Sequence, residues 1–318
     1  MGLPRSPHHV ERCTRIQPEP CGEQLPSLRT FMNESDQSSA EIVTPDTSAI
    51  SRVDLTERAA ARGDVACASH IGLRHETNQD AAALGIDSSG RHIVLVVADG
   101  VSSTDGAEEC ARIASHTARD YLTATMDQGM PANDDDIVTL FERAFRKAHE
   151  AVVSESRPIG ACTLAVAVAT QERIVVGNIG DTRTYWFPDD GNCVRLSIDD
   201  SMAQAQMDLG MSREEAEAGI GAHAITKWLG ASATDLAPRV MAYQPQHSGW
   251  LLVCSDGLWN HVPDPDDLTT LVTDLAGTAR KNDQGRPDPA DLAAGLIAHA
   301  NACGGHDNIT VALWRRDA

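Results

Sequence analysis

The sequence predicts an α+β fold in which sheets pack on one another and helices flank them. Three observations carry this. Short apolar runs rich in Val and Ile recur at strand length, and longer stretches repeat apolar residues at helical spacing. The two kinds do not alternate strictly, as a doubly wound parallel sheet would require.

In chain order, His92–Ala98 reads as a strand with apolar residues throughout. Gly106–Leu122 reads as a helix, because Cys110, Ile113, Ala114, Thr117 and Leu122 fall near one face. Asp135–Val153 is a second helix, with Ile137, Leu140, Phe141, Ala144, Phe145, Ala148 and Val152 at helical spacing. Ala161–Ala169, Arg173–Asn178 and Thr182–Phe187 read as strands. The last two are separated by Ile179-Gly180-Asp181, which predicts an antiparallel hairpin. Ser212-Arg213-Glu214-Glu215 has the form of a capping box opening a short helix. Trp250–Cys254 is a strand, Asp288–Ala300 a helix with Pro289 in its first turn, and Ile309–Trp314 the final strand.

Residues 1–62 stand apart. They hold six of the fifteen prolines and one aromatic, Phe31, with Ser/Thr/Glu/Gln clusters and no sustained periodicity beyond a short helical stretch at Asp54–Arg62. The expectation is a disordered or linker-like leader over 1–62 and one domain over 63–318. Across the chain, 26 Lys plus Arg face 46 Asp plus Glu, a net charge of −20. That surplus repels nucleic acid and anionic lipid, and it suits a site that collects cations. No apolar run approaches the ~18–20 residues that span a bilayer. The first residues, MGLPRSPHH, also lack the apolar stretch of a secretory signal, so a cytoplasmic protein with no membrane insertion is expected. The eight cysteines are scattered without CxxC spacing, as free thiols in a reducing compartment are; Cys162 and Cys254 lie inside apolar runs as small hydrophobes.

Phosphate-loop, dinucleotide, HExxH and GxSxG signatures are all absent. What the chain does carry is carboxylates at strand edges. Asp99-Gly100 follows Ile93–Ala98, Asp256-Gly257 follows Leu251–Cys254, Asp307-Asn308 precedes Ile309–Trp314, Asp80 follows Thr77-Asn78-Gln79, and Asp181 sits after Asn178. Each alone is ordinary turn chemistry. Converging in one cleft, they would repel unless protonated or neutralised. An all-oxygen set suits Mg²⁺ or Mn²⁺ better than zinc.

Seven short segments then give a specific resemblance. GLRHETNQDA (72–81), VADGV (97–101), GACT (160–163), GNIGDTR (177–183), HAITKWLG (223–230), SDGLW (255–259) and GGHDNIT (304–310) resemble, in order, the motifs of the metal-dependent serine/threonine protein phosphatases of type 2C, in their bacterial branch. The resemblance implies a four-layer α-β-β-α sandwich of two antiparallel sheets with a two-metal centre at one edge. It implies that Asp99 bridges two Mg²⁺ or Mn²⁺ ions, with the Gly100 carbonyl in one shell. Asp256 and Asp307 hold the first ion, Asp80 serves the second, and Asp181 binds a weaker third together with Asp256. Asp99, Asp256 and Asp307 thereby act catalytically, through a metal-activated water that attacks phosphoserine or phosphothreonine in proteins.

Three departures accompany it. The arginine that grips phosphate in the family is replaced by His75, with Arg74 adjacent, so either residue is a candidate for that role. Val101-Ser102-Ser103 replaces Met-Gly-Gly after Asp99-Gly100. Asn260 stands where some members carry a third-metal carboxylate. Asp199–His223 occupies the place of the family's flap, where its short helix either meets substrate or is a surface helix. The partners implied are phosphorylated proteins, including a Ser/Thr kinase or its targets. The alternatives are a catalytically silent binding or regulatory relative, and a phosphatase of different specificity.

Overall fold

Three strands lead, β1 (Val65–His70), β2 (Ala81–Ile86) and β3 (Ile93–Ala98), followed by two long helices, α1 (Ala107–Met126) and α2 (Asp134–Glu155). Then come β4 (Ala161–Cys162), β5 (Leu164–Ala169), β6 (Ile174–Ile179), β7 (Arg183–Pro188) and β8 (Val194–Arg195). Two short helices follow, α3 (Met202–Asp208) and α4 (Arg213–Glu217), then β9 (Leu229–Gly230), β10 (Arg239–Tyr243) and β11 (Gly249–Cys254). The chain ends with α5 (Asp256–Trp259), α6 (Pro265–Thr278), α7 (Pro289–Ala302) and β12 (Ile309–Arg316). This computed structural model describes residues 64–155, 160–281 and 285–317. The leader expected over 1–62, with its helical stretch at Asp54–Arg62, lies outside the described residues.

Two five-stranded sheets form, in the orders β1-β12-β11-β7-β8 and β10-β6-β5-β3-β2. Their strand pairs are antiparallel throughout. Alternation along the strands decides the layering. In β3, Ile93, Leu95 and Val97 face the core between the sheets, while Val94, Val96 and Ala98 face α1 and α2. In β11, Leu251 and Val253 face the inter-sheet core, while Trp250, Leu252 and Cys254 pack with Leu268, Leu292 and Leu296 of α6 and α7. Three apolar cores therefore separate four layers, helices–sheet–sheet–helices, as expected. Burying one such Leu contributes about 1.5–3 kcal/mol.

Two readings need correction. The predicted hairpin of Arg173–Asn178 with Thr182–Phe187 does not form: β6 and β7 lie in different sheets, and β6 pairs instead with β5 and β10. Gly180, at φ +97, turns the chain from one sheet to the other. Its Cα also abuts Thr163, whose Cγ2 would lie 2.6 Å from an added Cβ, so only glycine fits. The second correction concerns Ala161–Ala169, which is two strands split at Thr163. Thr163 leaves the ladder because its backbone N–H donates to the Asp99 carbonyl (2.7 Å) and its hydroxyl accepts from the Asp99 N–H (3.1 Å).

Other expectations hold. The Ser212–Glu215 capping box forms and opens α4. Cys162 and Cys254 are fully buried. Among the described residues, no helix is long and apolar enough to cross a membrane.

Candidate metal centre

The cleft is built where strands of both sheets end together. Asp99 follows β3, Asp181 lies in the crossing between β6 and β7, Asp256 opens α5 directly after β11, and Asp307 precedes β12. Asp80 precedes β2. Backbone and side-chain bonds tie these separate ends into one frame. Gly100 N–H donates to the Gln79 carbonyl at 3.1 Å, joining the loops of Asp80 and Asp99. An added Cβ on Gly100 would sit 2.6 Å from that same carbonyl, so the approach requires glycine. The Thr163 and Thr182 hydroxyls meet at 2.6 Å, joining the loops of Asp99 and Asp181.

Asn308 staples the loop that carries Asp80. Its Oδ1 accepts from Gln79 N–H at 2.7 Å, and its Nδ2 donates to the carbonyls of Ile71 (2.8 Å) and Thr77 (3.2 Å). Behind Asp80, the Ser255 hydroxyl donates to Oδ2 at 2.7 Å and accepts from Thr310 N–H at 3.0 Å. The Thr310 hydroxyl lies 2.7 Å from that of Ser69. Asp307 Oδ1 accepts from Asn308 N–H at 2.8 Å and faces His75 Nε2 at 3.2 Å.

The five carboxylates gather closely enough to perturb one another. Burial raises Asp80, against the hydrogen bonds of Ser255 and Thr310, and the charges of Asp256 and Asp307 raise it further. Burial raises Asp99 well above the ordinary range, reinforced by Asp80, Asp256, Asp181 and Asp307. Asp256 is raised by burial and by Asp307, with Asp99 and Asn260 as hydrogen-bonding neighbours. Asp181 is pushed up to about 8 by burial and by Asp256 and Asp199, against the pull of Arg183. So many carboxyls crowded into one place resist ionising together without a cation.

The donor set fits divalent metal ions. Asp80 Oδ1 and Asp256 Oδ1 are buried and have no hydrogen-bond partner, which is costly for a carboxylate unless a cation meets it. Every candidate ligand is an oxygen, as hard ions prefer. Among the described residues, no three His, Cys, Asp or Glu side chains already close around a single point. The arrangement is an open rim of carboxylates, which suits Mg²⁺-like ions that bind through one or two carboxylates and keep much of their water.

The two phosphate-binding candidates separate. His75 is turned onto Asp307, whereas Arg74 is exposed and its charge is felt by His261, whose ring lies tilted against that of His306 at 5.1 Å between centroids. Sequence reasoning misses Ser255, Thr310, Asn308 and Thr163 as supports of the site. Their partners lie far away along the chain, 175 residues for Ser255 and Asp80, and no local pattern carries that information.

The sequence matches the protein phosphatase 2C family over residues 68–296. It is 27% identical over 253 residues to the serine/threonine phosphatase stp of Listeria innocua, covering 77% of this chain and 92% of that protein. It is 25% identical over 261 residues to the protein phosphatase PhpP of Streptococcus pneumoniae, covering 79% and 96%. The fold superposes on the serine/threonine phosphatase PstP/Ppp of Mycobacterium tuberculosis with a TM-score of 0.63 at 25% identity, covering 80% of this chain and 98% of that one. It also superposes on the catalytic domain of PstP in complex with two manganese ions, with a TM-score of 0.58 at 24% identity and coverage of 80% and 98%. With most of its length matched and its carboxylates gathered at one sheet edge, this chain belongs to the protein phosphatase 2C family.

Proposed function

We propose that this protein hydrolyses phosphoserine and phosphothreonine in other proteins, using Mg²⁺ or Mn²⁺. The observation that carries the reading is the convergence of Asp80, Asp99, Asp181, Asp256 and Asp307, with two of their oxygens buried and unpartnered. In this reading Asp256 and Asp307 would hold one ion and Asp80 would serve a second, Asp99 would serve both, and the Gly100 carbonyl would complete the shell of one. Asp181 with Asp256 serves a weaker third. Bound there, such ions neutralise the carboxylates, polarise a phosphoryl group and make water an effective nucleophile at neutral pH.

The remaining work falls to the chain itself. Arg74 presents an exposed planar fork that can grip two phosphate oxygens, while His75 buttresses Asp307. The side chains of His75 and Asp307 keep 32% and 41% of their surface exposed, so a phosphorylated side chain on a protein surface can reach the rim. Ser255, itself fixed by Thr310 N–H, holds Asp80 from behind, and Thr163 holds the Asp99 turn. The substrates are phosphorylated proteins, among them a Ser/Thr kinase or its targets, and the scattered cysteines without CxxC spacing support a cytoplasmic location. The reading places the domain over 63–318, with 1–62 as its leader.

The test is phosphate release from a phosphothreonine peptide with Mn²⁺, with Mg²⁺ and with chelator, for wild type and Asp99→Asn. Metal-dependent turnover that the variant loses is the expected result. Folded, metal-loaded wild type with no turnover would make the chain a silent phosphatase-like module.

A further inference from the structure

Arg183 is a buried cation beside the carboxylate cluster, yet its hydrogen bonds go elsewhere. Nε reaches both oxygens of Asp199 (3.2 and 3.1 Å), Nη2 reaches Asp199 Oδ2 at 2.7 Å, and Nη1 reaches the Tyr185 hydroxyl at 3.4 Å. Its charge is nonetheless felt by Asp181 and Asp256, lowering both carboxyls against burial. The guanidinium carbon lies 3.5 Å from the centre of the Trp259 ring. Trp259 is buried, ends the short helix that Asp256 begins, and donates its indole N–H to the Asp181 carbonyl at 3.1 Å.

The flap grips the other side of the same turn. Asp200 N–H donates to the Gly180 carbonyl at 2.9 Å, and Asp200 Oδ2 accepts from Gly180 N–H at 3.2 Å. Asp200, at the start of the flap, thus holds the Asp181 turn at two points, while its neighbour Asp199 grips Arg183.

We propose that Arg183 is a positioning residue, clamped between Asp199 and Trp259 so that the Asp181 and Asp256 carboxylates keep their separation and remain free for a metal ion. This rests on the reading of those two carboxylates as metal-holding. Two physical arguments support it. Stacking a guanidinium on an indole while a carboxylate grips its edge leaves Arg183 one orientation, so Trp259 is fixed and the Asp181 carbonyl with it. Asp199, which also faces Arg195 at 3.6 Å, offsets the guanidinium charge as well. Without Asp199, a buried positive charge would either compete with the metal ion or pair with Asp181 and take it away.

The test titrates the full-length chain with Mn²⁺ alone by calorimetry and melts each variant in chelator. Asp199→Asn keeps the shape and removes the charge; Trp259→Phe keeps a ring and removes the indole N–H. Both are expected to weaken Mn²⁺ binding by about 10-fold or more, the usual effect of losing a partner that orients a ligand. Trp250→Phe is the control, since Trp250 forms a similar pair with Arg315, at 5.4 Å, at the end of β11 away from the cleft. Mn²⁺ affinity within about twofold of wild type in both test variants, or an equal loss in Trp250→Phe, would overturn the proposal. So would a weakening matched by an equal loss of melting temperature in chelator, which would mark a merely structural role. Wild type that takes up no Mn²⁺ would instead overturn the metal-dependent reading of the cleft.

Discussion

His75 Nε2 stands 3.2 Å from Asp307 Oδ1, so the imidazole at the cleft mouth is engaged by a carboxylate of the rim. A phosphate arriving there meets a ring already committed to Asp307, and the adjacent Arg74 is left as the planar donor. Arg74→Ala is therefore expected to raise KM for a phosphothreonine peptide by about tenfold, the loss of one charge-assisted pair, with a smaller change in kcat. His75→Ala is expected to shift KM less. Steady-state kinetics on both variants at saturating Mn²⁺ decides it, and a larger effect from His75→Ala would reverse the assignment.

The raised carboxyls set the pH dependence of the metal-free protein. Burial holds Asp181 at about 8 in the folded chain against an ordinary value of 3.8, so the native state binds more protons than the unfolded chain between those limits. The stabilisation is complete below the ordinary value and is lost as pH rises through about 8. Three histidines, His70, His149 and His261, are lowered by burial and tilt stability the opposite way, but their contribution is largely complete above neutral pH. In chelator, melting temperature should therefore fall from about pH 7 to pH 8.5. Added Mn²⁺ should flatten the fall, because the ion replaces the protons. Asp181→Asn, which cannot titrate, should melt with a shallower slope in chelator; an unchanged slope would contradict the assignment.

Ser255 offers a test of the support behind Asp80. Its single hydroxyl both donates to Asp80 (2.7 Å) and accepts from Thr310 N–H (3.0 Å). Ser255→Ala leaves a buried N–H and a buried carboxylate oxygen unsatisfied, at a cost of about 1–3 kcal/mol in stability. Denaturant melts in chelator measure that cost. Ser255→Thr, which keeps the hydroxyl, should recover more of the stability than Ser255→Cys, whose thiol is a weak donor.

Much of the site is legible in the sequence because buried strands announce their own ends. Ile93–Ala98 and Leu251–Cys254 are continuous apolar runs that stop at Asp-Gly, and this alone puts the carboxylates of Asp99 and Asp256 at a sheet edge. Strands without that signal escape notice. VACASH and AAALGI are largely Ala and small residues, and RVMAY is only half-buried, so none reads as a Val/Ile run. Helix Pro265–Thr278, by contrast, does carry a local signal that the sequence reading passes over: Asp264 caps it, Pro265 opens it, and Leu268, Leu271, Val272, Leu275 and Ala276 fall at helical spacing. The least legible feature is which sheet each strand joins. A three-residue link with glycine serves a hairpin or a crossing equally well; here it makes a crossing, which packs Gly180 against Thr163.

That packing can be tested directly. Gly180→Ala places a side chain at φ +97 and pushes its Cβ to 2.6 Å from Thr163 Cγ2 and 2.7 Å from Thr163 Cβ. The left-handed backbone alone costs roughly 1–2 kcal/mol, and the contact adds to it. Gly180→Ala should therefore lower the melting temperature. Because Asp181 follows immediately, it should also weaken Mn²⁺ binding. Thr163→Ser in the same chain removes Cγ2 but leaves the Cβ contact and the backbone strain, so it should restore only part of the loss. Full recovery would show that the methyl contact alone enforces glycine. No loss at all would show that the crossing between the sheets does not depend on this residue, and that Asp181 is held by Asp200 and Trp259 without it.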